Sequence, residues 1–98
     1  MKLDIAGRAR REIERIDVWW RANRDHQDLF KEELANAEEF LANTPELAAV
    51  YVVRGRRKVR WLLLPKTDVK LYFWVDKKHE IVHVVSAWGA RRGRGPKL

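Results

Sequence analysis

The stretch RKVRWLLLPKTDVKLYFWVDKKHEIVHVVSAWGAR, residues 57–91, decides how this chain folds. It holds three apolar runs, Lys58 to Leu64, Val69 to Val75 and Ile81 to Trp88, separated by Pro65-Lys66-Thr67-Asp68 and Asp76-Lys77-Lys78-His79. Each run is short, rich in β-branched and aromatic residues and bounded by turn formers, which predicts consecutive antiparallel strands. In the middle run Val69, Leu71, Phe73 and Val75 alternate with Lys70, Tyr72 and Trp74. That period of two sets one apolar row against a core and one mixed row outward. On the preceding run, Val59, Trp61 and Leu63 are read as the matching core row, with Arg60 opposite them. One sheet face is therefore expected to be apolar and the other basic and aromatic. The second is the candidate functional surface.

Outward from this stretch, the N-terminal half reads as helical. From Arg8 to Asn23, the residues Ala9, Ile13, Ile16 and Trp20 recur at the spacing of an amphipathic helix, and Trp19 is read as widening the stripe. Asn23-Arg24-Asp25 breaks the pattern and offers an N-cap. Phe30, Leu34, Ala37 and Leu41, with Phe40 beside them, then repeat the spacing until Thr44-Pro45 ends it, because proline supplies no amide hydrogen. Two helices joined by so short a turn pack as an antiparallel hairpin. Met1 to Ile5 reads as a short strand and Ala48 to Val53 as another, turning through Arg54-Gly55-Arg56-Arg57. The tail from about Arg91 has little apolar material and is expected to be mobile. The prediction is a single α+β domain over residues 1–98, ordered β-α-α-β-β-β-β. Its helical hairpin covers one face of a three- to four-stranded antiparallel sheet.

Composition narrows the chemistry. The chain has no cysteine, which excludes disulfides, thiolate chemistry and cysteine zinc sites and suits a reducing cytoplasm. It shows neither a membrane-length apolar run nor the start of a signal peptide, and so reads as soluble, with no membrane partner. The net charge of +7 is unevenly spread: residues 1–50 carry eight Lys/Arg against eleven Asp/Glu, and residues 51–98 carry thirteen against three. Such a basic half suits an acidic partner, either nucleic acid or protein.

The reactive side chains form no recognisable catalytic set. Ser86 is the only serine, and His83 lies three residues away on the same strand, so alternation sends the two to opposite faces. His26, His79 and His83 lack metal-ligand spacing, Glu32-Glu33 and Glu38-Glu39 diverge around their helix, and no glycine-rich phosphate loop occurs. No cofactor or metal is called for. What stands out is the outward face, where Arg60, Lys70, Tyr72 and Trp74 are expected together, with Arg91 and Arg92 at the rim. Cations there position phosphates, and rings stack on bases or bury an apolar partner. The competing reading has Tyr72 and Trp74 covered by another part of this chain or by a second copy.

The order of elements and several strings resemble the RelE/ParE superfamily of bacterial toxins from type II toxin-antitoxin modules. The similar segments are Arg11-Glu12-Ile13-Glu14-Arg15-Ile16 with Trp19-Trp20, Phe30 through Leu41 with Thr44-Pro45, Val59 through Leu64, Val69 through Asp76, and Val84 through Pro96. The resemblance implies a cognate antitoxin that binds through an extended or helical segment. It also implies one of two targets. RelE-like members cut messenger RNA on the ribosome with a cluster of basic residues, and ParE-like members act on DNA gyrase without that set. Arg60, Lys70 and Arg91 fall where the nucleases place basic residues, and would be catalytic in that case. However, Leu62 stands where a second lysine is expected, and no tyrosine follows Arg91. Arginine is always protonated and an unshifted lysine titrates near 10.4, so neither is a ready base. The implied function is thus a ParE-like gyrase inhibitor. A RelE-like endonuclease is the alternative, and an inactive homologue that only binds antitoxin or RNA is a third reading.

Overall fold

Ala9, Ile13, Ile16 and Trp20 face the core as one stripe of helix α1 (Gly7–Asn23), and Phe30, Leu34, Ala37, Phe40 and Leu41 do so from helix α2 (Leu29–Asn43). In the computed structural model, which describes residues 1–98, these helices form the hairpin the spacing predicts. The connecting turn is longer than the sequence suggests. Asp28, not Asn23 to Asp25, precedes α2, and its carboxylate accepts from Arg21 at 2.9 Å instead of capping the helix. Trp19 does not widen the buried stripe. It is 47% exposed, edge-on to Trp20, because the core row passes through positions 16 and 20.

The sheet has five strands, not three or four: β1 (Lys2–Ile5), β2 (Ala49–Arg54), β3 (Arg57–Leu64), β4 (Val69–Asp76) and β5 (Ile81–Gly89), in spatial order β1-β5-β4-β3-β2. The four C-terminal strands are an antiparallel meander, and β1 adds to β5 in parallel. The long connection permits the parallel pairing, since the chain leaving β1 runs through both helices and strands β2 to β4 before β5 lies beside it. A short 3-10 turn, Pro45–Leu47, joins α2 to β2.

The helices cover one face of the sheet. Val69, Leu71 and Phe73 on β4, Val82, Val84 and Ala87 on β5 and Leu64 on β3 are all buried against Ala9, Phe30, Ala37 and Leu41. Each large side chain removed from water there contributes about 1.5 to 3 kcal/mol. Between β3 and β4, the carboxylate of Glu33 on α2 accepts from the amides of Lys66 and Thr67 at 2.7 and 3.0 Å and from the Thr67 hydroxyl at 2.7 Å. This pins the turn to the helical layer. Asp68 and Glu80, in the two turns flanking β4, adopt positive φ.

The register of β3 reverses the face expected for it. Leu64 pairs with Val69, Leu62 with Leu71 and Arg60 with Phe73, so Arg60, Leu62 and Leu64 lie on the helix side. Trp61 and Leu63, paired with Tyr72 and Lys70, lie on the outward side, and Val59 shares their parity. β5 also departs from simple alternation. Tyr72 pairs with Ser86 but Phe73 pairs with Val84, which leaves Val85 as a bulge. The extra residue brings His83 and Ser86 to the same face, where simple alternation sends them apart.

Candidate partner-binding face

The outward face is built from odd positions of β3, even positions of β4 and, across the bulge, His83, Ser86 and Trp88 of β5. It divides into three parts. At its centre Tyr72 is 2% exposed, because Tyr51 of β2 packs edge-on against it with centroids 4.7 Å apart. Tyr72 is therefore no stacking platform. Burial, and secondarily the neighbouring Tyr51, push its hydroxyl above the ordinary tyrosine range.

The C-terminal tail crosses this face instead of hanging free. After a 3-10 turn at Ala90–Arg92, the Arg94 carbonyl accepts from the Trp88 indole at 2.7 Å and the Pro96 carbonyl from the Tyr51 hydroxyl at 3.1 Å. Pro96 is buried, and Arg8 and Arg54 donate to the carbonyls of Lys97 and Leu98 at 2.7 and 2.9 Å. Gly95 is required here, since a Cβ at that position would overlap the Tyr51 hydroxyl and ring. Composition gave no hint of this, because the tail is held through its backbone carbonyls and not through apolar side chains.

Toward the β3–β4 turn the face carries cations laid on tryptophans. The Lys70 ammonium sits 4.3 Å from the Trp61 ring centroid, and the Arg92 guanidinium 3.9 Å from that of Trp88. Beyond them Arg91 is 86% exposed and donates to Asp68 at 2.7 Å. At the opposite end Trp74 lies against Arg57, 4.3 Å from its centroid, and stacks on His83 at 4.4 Å and 18°. The Nδ1 of His83 meets the Asp4 carboxylate at 3.1 Å.

The structure thus gathers Lys70, Tyr72 and Trp74 on one surface and places Arg91 and Arg92 at its rim. It does not bring Arg60 to them. Arg60 is on the helix side, donating to the Ala48 carbonyl at 2.7 Å. Sequence reasoning missed Arg57, Trp61 and Trp88 as members of the face. Counting strand pairs across the four-residue turn would have found the first two. Ser86 shares a face with His83 yet is wholly buried, its hydroxyl donating to Glu12 of α1 at 2.9 Å. That commitment, not divergence, removes it as a nucleophile.

Beside the rim lies a groove of about 540 Å³ between the C-terminal end of α1 and the β3–β4 turn. Ile16, Trp19 and Trp20 form its apolar wall, and Lys66, Arg91 and Arg92 stand on the other side. Arg24 lies over both tryptophans, at 4.9 and 5.6 Å from their centroids. No group of three or more His, Cys, Asp or Glu side chains converges to hold a metal, and no helix is long and apolar enough to cross a membrane.

No protein-family model matches the sequence, and no curated protein matches it either. Among solved structures, a chain of the chromosomal ParDE toxin-antitoxin system from P. aeruginosa superposes with a TM-score of 0.70. The match covers 93% of this chain and 97% of that one, at 14% identity. The helical hairpin, the antiparallel meander and nearly the whole length of the chain thus have a counterpart in a toxin-antitoxin protein, and this chain shares its fold.

Proposed function

We propose that the chain is the toxin of a type II toxin-antitoxin module, neutralised by a cognate antitoxin, and that it acts as a ParE-like inhibitor of DNA gyrase. The fold shared with a chain of the ParDE system supports the toxin-antitoxin part. The choice of target rests on one observation, the dispersal of the three basic residues that a nuclease would need. Arg60 is on the helix side, Lys70 lies on Trp61 and Arg91 is paired with Asp68. Cutting RNA through its 2′-hydroxyl needs a base on that oxygen and cations on the same phosphate. Arg60 stands on the opposite side of the sheet from Lys70, so the three are not gathered on one phosphate.

The antitoxin segment that suits the groove beside α1 is apolar with acidic residues. Its apolar side would cover Trp19 and Trp20, and its carboxylates would face Arg24, Lys66, Arg91 and Arg92. A second reading, messenger cleavage on the ribosome, draws on His83. This imidazole is on the outward face with a carboxylate on one nitrogen, the arrangement of an oriented general base. Against it, the paired residue Trp74 is four positions from Lys70, about 13 Å along the strand.

Controlled expression in bacteria carrying a DNA-damage reporter tests the proposal. Growth arrest with reporter induction and intact messenger is the expected result. Arrest with cleaved messenger and a silent reporter would replace gyrase by the ribosome, and undisturbed growth with folded protein would remove the toxin reading altogether.

A further inference from the structure

We propose that the cleft at the hairpin end of the sheet is a phosphodiester-binding site that holds the backbone of a nucleic acid. This inference stands whichever target the toxin has. The β2–β3 and β4–β5 turns lie at the same end of the sheet, and between them opens a cleft of about 510 Å³. Five cations line it: Arg56, Arg57, Lys58, Arg60 and Lys77. Two carboxylates line it as well, and both are engaged. Glu46 pairs with Lys77 at 3.5 Å, and Asp76 accepts from His79 at 2.8 Å. Arg56, Arg57 and Lys58 make no ion pair and are exposed. Like charges held this close raise the local potential, and a polyanion that releases its own counterions relieves it.

The geometry selects backbone contact over base reading. Strand alternation sends Arg57 to the outward face and Lys58 and Arg60 to the other, so the cleft wraps the end of the sheet. Trp74, the one aromatic in the lining, is occupied by Arg57 and His83, which leaves no ready ring for a base. An acidic peptide is the weaker fit. Peptide affinity concentrates in buried apolar or aromatic anchors, which the groove beside α1 offers and this cleft does not.

The test uses the full chain with a labelled DNA duplex and a labelled single-stranded RNA of equal length, read by fluorescence anisotropy from about 50 to 200 mM salt. The variant Arg56→Ala/Lys58→Ala removes two exposed cleft cations. Arg10→Ala/Arg15→Ala removes the same charge from the exposed face of α1. Thermal melting establishes that both fold. The cleft variant is expected to bind at least one of the probes about tenfold more weakly, with the salt slope smaller by about one to two, while the α1 variant binds like the parent. The probe affected identifies duplex or single strand as the source of the phosphates. Equal weakening by both variants, no weakening by either, or polyglutamate displacing the probe as well as unlabelled nucleic acid would each overturn the proposal. Growth arrest is scored separately, so failure here is distinguishable from failure of the toxin reading.

Discussion

Tyr72 illustrates how one side chain changes role with its surroundings. In sequence it is an outward aromatic, and in the fold it is buried under Tyr51. Burial penalises the phenolate, so its folded-state pKa is raised. The raised value supplies stability that is complete below the unfolded tyrosine value of about 10 and is lost as pH rises through the folded value. With Tyr51→Phe, which leaves Tyr72 as the only tyrosine, the tyrosinate absorbance should rise above pH ~10 and together with loss of structure. A midpoint at the free value, with the fold intact, would show Tyr72 exposed. Asp76 works in the opposite sense. Its hydrogen bond from His79 lowers its pKa, so the stability it supplies is present above the unfolded value and is lost as pH falls through the folded one. Replacing His79 by alanine should move the Asp76 titration upward in a carboxyl NMR experiment, and no movement would mean the pair does not form in solution. Arg60, for its part, satisfies the carbonyl of the buried residue Ala48. Arg60→Met should lower stability by about 1 kcal/mol in urea unfolding, the cost of a lost hydrogen bond to a charged donor with partial compensation by water.

At the level of elements, the two helices and the strands from β2 to β5 were legible because their periods are strong and their ends carry proline, glycine or charged turns. The face of β3 was misread for a specific reason. Trp61, Leu62, Leu63 and Leu64 are all apolar, so alternation alone does not choose between the two rows. The four-residue turn Pro65–Asp68 does choose. Pairing Leu64 with Val69 and counting back puts Arg60 opposite Phe73, as observed. The bulge at Val85 had no such signal, since a single extra residue leaves the composition of β5 unchanged. Two side-chain contacts fix segments that border the sheet, the β3–β4 turn and the tail. Glu33→Ala should cost about 2 kcal/mol by stranding the amides of the β3–β4 turn, seen as a lower urea midpoint at unchanged slope. Gly95→Leu should lift the tail from Tyr51 and raise the rate of tryptic cleavage at Arg94 and Lys97 with little effect on the melting of the core. Unchanged cleavage would mean that the tail does not rest on that ring.

Across the whole molecule, charge follows the order of the elements. Residues 1–50, with more acidic than basic side chains, hold both helices, and the strongly basic residues 51–98 hold most of the sheet and the tail. Cations laid on tryptophans dominate the outward face, and the hairpin end adds a cluster of its own. This arrangement concentrates positive charge, and it sets His83, the outward-face imidazole oriented by a carboxylate, about 13 Å along the sheet from Lys70. Sequence composition made the charge legible, while the separation of Arg60 from Lys70 emerged only from strand register. On the proposed function, the chain binds and poisons gyrase and leaves messenger RNA uncut. Purified protein incubated with DNA gyrase, and in parallel with ribosomes programmed with messenger RNA, tests this most directly. Loss of supercoiling with trapped gyrase–DNA breaks and intact messenger is the predicted result; cleaved messenger with fully active gyrase would contradict it.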